Sequence, residues 1–412
     1  MKAVVISGGT ATNSLVHLFS SIYSHVTYAL PISDNGGSTS EIIRVIGGPA
    51  IGDIRSRVIR LIPDVDESTR AMRALLSYRL PDGTEEAKVE WNRIVDGTHR
   101  LWNGVESQYK EMIRPFFIHI HVEFLKRSRP GREFRFERAS IGNLFLTGAR
   151  LFCGSLDSAI ELLCKITMVP SNVCVLPALN TNFSHHISAV LENGTEITGQ
   201  SQISHPSADP FLYAAQNNFE DANLPFSHPA LSVSQLKFSK TKILPLESPI
   251  RRIFYINPYG QEIHPKISPR VAIGLESADA VVYSIGSLYT SLIPVVSLQG
   301  FAQSVQNCLI KILILNGEHD RESNGMNAEE HVNKIVEACQ YSLTDEVSIR
   351  PWTDFVTDLV HMTEPAGIPV DTVSLEARGI RCHRVPHAPG QTSVYDLPGL
   401  EQTILHIMSE KH

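Results

Sequence analysis

Met1-Lys2-Ala3-Val4-Val5-Ile6-Ser7-Gly8-Gly9-Thr10 opens the chain, and Val26-Thr27-Tyr28-Ala29-Leu30-Pro31-Ile32-Ser33-Asp34-Asn35-Gly36-Gly37-Ser38 follows a helix-length interval later. Ala3–Ile6 is apolar on every residue, the pattern of a strand buried on both faces of a parallel sheet. From Asn13 to Tyr23 the apolar residues Leu15, Leu18, Phe19 and Ile22 form one helical stripe. Val26–Ile32 reads as a second buried strand. Strand, glycine turn, helix and strand make a βαβ unit, which predicts a Rossmann-like α/β fold with a mostly parallel, doubly wound sheet.

Working outward, residues 64–138 are rich in charge and aromatics and read as a mainly helical insertion, with a strand expected at Phe117–Phe124. Helices are expected at Gly142–Phe152, Asp157–Ile166, Glu329–Tyr341, Asp354–His361 and Leu400–Met408, and strands at Asn172–Leu176, Arg252–Ile256, Ala280–Tyr283 and Lys311–Leu315. Ile187–Leu191 and Glu196–Gln200 flank Asn193-Gly194, a strong hairpin signal, and predict a β-hairpin excursion. Residues 205–245 are rich in Pro, Ser, Asn and His and read as an irregular excursion. The expectation is one α/β domain across 1–412.

The 412 residues are 42% hydrophobic with a formal charge of −7. That balance argues against disorder and against a nucleic-acid binder with a large basic surface. No run approaches the roughly 20 apolar residues that span a bilayer. The opening residues resemble neither a signal nor a transit peptide, and the six cysteines lack any CxxC pair. A cytoplasmic protein with reduced thiols is therefore expected. The pairs His119/His121, His185-His186 and His383/His387 have no HExxH or cysteine context for zinc.

Four small, polar clusters carry the chemistry, three of them after strand-like runs. Gly8-Gly9-Thr10 could bring backbone amides close to an anion, because no side chain blocks the approach. Asp34-Asn35-Gly36-Gly37-Ser38 places a carboxylate before glycines and a hydroxyl, so Asp34 could hold a divalent cation while amides face phosphate. In Gly52-Asp53-Ile54-Arg55 the acid could be a second metal ligand or a general base, and Arg55 could clamp a phosphoryl group. Gly286-Ser287-Leu288-Tyr289-Thr290-Ser291 reads as a further anion-binding turn. Each cluster alone also reads as an ordinary strand-to-helix turn or helix cap.

These clusters, in this order and with Ser140-Ile141-Gly142-Asn143, Ala278-Asp279 and Asn316…Glu322-Ser323…His331-Val332, resemble the 2-phospho-L-lactate transferase and gluconeogenesis-factor family (CofD-like). The resemblance covers about residues 1–62 and 139–340. It implies a Rossmann-like core that binds a nucleotide, as a nucleoside diphosphate or a UDP-sugar. One branch is a Mg²⁺-dependent transferase that moves a phospholactyl group from a guanosine diphosphate carrier to a deazaflavin alcohol. The other binds UDP-sugars and regulates carbon and cell-wall metabolism. Carried over, Gly8, Gly9, Thr10, Asn143, Gly286, Ser287, Leu288, Thr290 and Ser291 would line the nucleotide beside Asn35, Gly36, Gly37 and Ser38. Asp34, as metal ligand, would act with Asp53 and Arg55 at the reacting phosphate. No nucleic-acid or membrane partner is implied, and a homo-oligomer is left open. Ala11, Ile285 and Ser323 depart from the family pattern, and Ala11 would be strained if its position required a positive φ.

Overall fold

The computed structural model describes residues 1–130, 133–205, 231, 245–343, 350–363 and 367–410. Seven parallel strands form the central sheet: β1 (Lys2–Ile6), β2 (His25–Leu30), β3 (Val173–Pro177), and, numbered after the four strands introduced below, β8 (Ala280–Tyr283), β9 (Ile310–Ile314), β10 (Asp358–Met362) and β11 (Arg381–Val385). Their spatial order is β3-β2-β1-β8-β9-β10-β11, so the chain builds outward from β1 on one side and from β8 on the other. Chain order reverses between β1 and β8. In such sheets ligands bind beyond the carboxyl ends of the strands at that reversal.

The second sheet is antiparallel, ordered β5-β4-β6-β7 from β4 (His186–Leu191), β5 (Glu196–Thr198), β6 (Ile250–Ile256) and β7 (Glu262–Ile263). The predicted hairpin is its β4–β5 edge, turned at Gly194 with φ +85°. Directly after β5 comes the short helix Gln200–Ser204, which the sheet carries toward the reversal point. The expected excursion at 205–245 lies almost wholly outside the described residues.

Two expectations are corrected. Phe117–Phe124 lies inside one continuous helix, Ser107–Arg127. The buried residues Ile113, Phe117, Ile120 and Phe124 recur at helical spacing, whereas the alternation of isoleucine and histidine across 118–121 mimics a strand. Asp354–His361 is not helical: a single turn at Trp352–Asp354 leads into β10, whose five residues are all buried. Leu359 and Val360, with Phe355 and Val356, imitate a helical stripe because a strand covered on both faces has no polar alternation.

The core holds most of the large side chains, including Phe19, Tyr28, Trp91, Phe117, Phe145, Phe301 and Phe355. Each such burial is worth about 1.5–3 kcal/mol. Within 64–138, Trp91 on the helix Thr84–Asp96 packs against Phe117, from the helix Ser107–Arg127, and Phe136.

Candidate functional site

The glycine turns after β1 and β8 meet at the reversal point. A Cβ on Gly8 would stand 2.5 Å from Ser291 Oγ, and one on Gly286, at φ +147°, would lie 4.0 Å from the Gly8 nitrogen. On Gly9 it would collide with the Asp53 carboxylate and lie 2.6 Å from Asp53 Cα. Glycine is required because backbone, carboxylate and hydroxyl close on the same small space. Thr12 Oγ1 ties the turns together by donating to Ile285 O (2.8 Å), with Ser284 Oγ 3.0 Å away.

The Gly8 and Gly9 carbonyls are drawn back into the protein. Arg57 Nη2 donates to Gly8 O (3.0 Å) and Ser56 Oγ to Gly9 O (3.0 Å), both from the helix Gly52–Leu61. Arg57 is fully buried, with its guanidinium over the Tyr28 ring. Asn316 holds the other turn from both sides, accepting from Gly286 N (2.9 Å) and donating to Gly286 O (2.8 Å).

Asp53 sits in the first turn of the helix Gly52–Leu61, whose cap is Ile51, so Asp53 is not the cap residue. Its carboxyl is pushed up to about 7, by burial first and then by the Asp34 carboxylate, against the pull of the Gly9 amide, Arg57 and Arg55. Burial also raises Asp34, whose Oδ1 accepts from Gly36 N (3.0 Å). Two carboxyls that repel each other in a poorly hydrated crevice hold protons more tightly than free ones, and a bound cation would relieve that repulsion. Burial, with Arg79 nearby, lowers Arg55 to about 10, and its Nε donates to Asn143 Oδ1 (3.2 Å).

Several predicted residues are committed to bonds inside the protein. Asn143, almost fully buried, donates to Ser38 Oγ (3.0 Å). Asn35 Oδ1 accepts from Ser201 N (3.2 Å) and Oγ (3.1 Å). Thr290 Oγ1 donates to Glu322 Oε1 (2.7 Å), and the Leu288 side chain is buried. Gly37, at φ +55°, precedes the helix Ser38–Ile46, and Thr10, exposed, precedes the turn Ala11–Ser14. Ala11 has a negative φ, so the expected strain there is absent.

A cavity of about 340 Å³ lies beside Ser287, lined also by Ser204, His319, Asp320, Arg321, Glu322 and Asn324. Sequence reading gave no role to Glu322, Asn316, Ser201, Ser204 or Arg57; the first two fall within the quoted Asn316…Glu322 stretch, which was the available signal. Among the described residues no cluster of three or more His, Cys, Asp or Glu side chains could hold a metal, and all six cysteines are free. No helix among them is long and apolar enough to cross a membrane.

The sequence matches the 2-phospho-L-lactate transferase CofD family over residues 3–385. It is 43% identical to the uncharacterized protein YNL011C of Saccharomyces cerevisiae, covering 93% of this chain and 95% of that one. It is 22% identical to the gluconeogenesis factor of Halalkalibacterium halodurans, over 92% and 87% of the two chains. Among solved structures, protein BH3568 of Bacillus halodurans, described as a member of the UPF0052 family, superposes with a TM-score of 0.64 at 19% identity, covering 98% of each chain. A match across nearly the whole sequence, on a fold whose glycine turns converge at the reversal point, makes this chain a member of the 2-phospho-L-lactate transferase CofD family.

Proposed function

We propose that the crevice between β1 and β8 grips the pyrophosphate of a nucleoside-diphosphate carrier and transfers its phosphoryl-linked group to an acceptor alcohol, with Mg²⁺, in the manner of 2-phospho-L-lactate transferase. The observation that carries this reading is the meeting of Gly8, Gly9 and Ser291 with Asp53, which is electrostatically coupled to Asp34, at the point where chain order reverses. The two carboxyls suit Mg²⁺, which commonly takes one or two carboxylates and completes its shell with water and substrate phosphate. Asp34 would hold it, leaving Asp53 free for the acceptor's proton, and when bound it supplies charge neutralisation at the phosphates. The turns after β1 and β8 bring their remaining backbone amides toward the phosphate oxygens, the Gly9 and Gly286 amides being held by Asp53 and Asn316, and Arg55 adds a cation. The P–O bond to the nucleoside-phosphate leaving group breaks as the acceptor oxygen bonds to phosphorus. Asp53, with an affinity for protons near neutrality, takes the acceptor's proton.

A second reading is a UDP-sugar-binding regulator without turnover; the names of similar relatives, among them the gluconeogenesis factor of H. halodurans, favour a role in carbon metabolism, and the UDP-sugar comes from the family resemblance. One experiment separates the two. The chain is incubated with GDP or a UDP-sugar and Mg²⁺ while melting temperature and ligand breakdown are followed, with identification of any co-purified ligand by mass spectrometry. Stabilisation with ligand consumption in the presence of an alcohol acceptor supports the transferase. Stabilisation without consumption supports the regulator, and no stabilisation by any nucleotide sinks both.

A further inference from the structure

Beside the turn after β1, two further turns border the diphosphate crevice from opposite sides of the sheet reversal, one after β2 and one after β8. A two-sided grip works only if their separation is fixed before the ligand arrives. One run of hydrogen bonds spans it. Asn35 Oδ1 accepts from Ser201 N and Oγ at the start of the helix Gln200–Ser204. At the other end of that helix Ser204 Oγ donates to Glu322 Oε1, the same oxygen that accepts from Thr290 Oγ1 at 2.7 Å. The two hydroxyl oxygens are 3.1 Å apart. Glu322 is itself anchored, its backbone N donating to Asp320 Oδ1 (3.0 Å), while Arg321 Nη1 donates to Gln202 O (2.8 Å).

Glu322 is therefore the node where the bonds from Asn35 meet those from Thr290. It is 4% exposed, and its Oε2 is buried with no hydrogen-bond partner among the described residues. Two hydroxyl donors on Oε1 favour a carboxylate, whereas the bare, buried Oε2 disfavours one. Burial and then Asp320 push Glu322 up to about 7, against the hydrogen bonds from Ser204 and Thr290. Arg321, His319 and His205 ring the adjacent cavity, and Tyr289 lies on the turn side.

We infer that Glu322 is a positioning residue of the diphosphate site, fixing the Asn35 turn and the Thr290 turn at one separation through a single shared oxygen. This rests on the nucleotide reading above. Glutamine keeps the accepting oxygen and cannot ionise, whereas alanine removes the node.

The test is isothermal titration of the full chain with GDP and with UDP in excess Mg²⁺, at about pH 6 and about pH 8. Glu322→Ala is expected to bind about tenfold more weakly than wild type, the equivalent of losing one strong hydrogen bond. Glu322→Gln is expected to restore the affinity and to lessen the fall in wild-type affinity between the two pH values, Asp53 supplying the rest of that fall. Affinity unchanged in a folded Glu322→Ala variant, or not restored in Glu322→Gln, overturns the role of Glu322 and leaves the nucleotide reading standing. Should the alanine variant fail to fold, Ser204→Ala removes one donor from the node and is expected to weaken binding about threefold; unchanged affinity overturns the inference. Wild-type chain that binds neither GDP nor UDP overturns the nucleotide reading and this inference with it.

Discussion

The two ends of the central sheet treat buried carboxylates in opposite ways. At the carboxyl end of the strands, Asp34 and Asp53 are raised above the ordinary carboxylate range, chiefly by burial. At the amino end, Asp358 opens β10 fully buried, yet it lies below that range. Burial alone would raise it too, but His383 Nε2 at 2.9 Å, Arg381 Nη2 at 2.6 Å and the Thr357 hydroxyl at 2.6 Å outweigh that effect. The difference separates scaffold from site. A carboxylate supplied with its own donors needs nothing more, whereas one kept short of donors is poised to receive a cation or a proton.

Substituting each kind of carboxylate breaks this contrast most sharply. Asp358→Ala leaves Arg381 and His383 without their buried partner, and is expected to cost about 3–5 kcal/mol in chemical denaturation. Asp34→Asn removes repulsion at a site the fold does not need. Its melting temperature is expected to stay at or above wild type, while any phosphoryl-group transfer falls on the order of 10³-fold. Loss of stability comparable to that of Asp358→Ala would place Asp34 in the scaffold.

Next in size is Gly9→Ala. The added methyl meets Asp53 backbone as well as its carboxylate, so a side-chain rotation cannot relieve the clash. The expected cost is about 1–3 kcal/mol, read as a lower melting temperature, together with loss of nucleotide-induced stabilisation. Full retention of both would mean that the close approach at the reversal point does not shape the site.

How much of this was legible beforehand depends on how directly a residue's neighbours in sequence are its neighbours in space. The βαβ opening and the Asn193-Gly194 hairpin are local, and their reading stands in the structure, as does the position of the glycine clusters at turns. β10 and β11 were not read. Asp358–Met362 is buried on both faces, and Arg381–Val385 is a polar edge strand, so neither shows the alternation of a half-buried strand. The site divides the same way. Gly8, Asp34 and Asp53 announce themselves by chemistry, but nothing local in Ser204 or Glu322 says that they meet at one oxygen. Nor does the sequence say that Asn143, in a recognisable helix start, is turned inward to Ser38 and Arg55.

A smaller and pH-dependent effect tests the electrostatic half of the contrast. The folded-state affinity of Asp53 for protons lies near 7, above its ordinary value, so the folded state binds the proton more tightly than the unfolded state. The stability it contributes is complete below the ordinary carboxylate range and is lost as pH rises through about 7. Wild-type melting temperature should therefore fall between about pH 5 and about pH 8 in the absence of Mg²⁺, and Asp53→Asn should raise it more at the higher pH. An equal gain at both would show that Asp53 is not held neutral by its surroundings.

The smallest expected effect supplies the control that both ends of the sheet lack. Arg270 and Glu161 form a 2.5 Å ion pair on the surface, with side chains 42% and 49% exposed. Water solvates both partners after the pair is broken, so Arg270→Ala should cost less than about 0.5 kcal/mol. The pair is as short as those that hold Asp358, but its carboxylate is half exposed where Asp358 is fully buried among three donors. If Arg270→Ala costs as much as Asp358→Ala, then pairing distance rather than burial sets the penalty. The raised carboxyls at the reversal point would then lose their claim to be the functional ones, because their distinction is that burial makes their missing partners expensive.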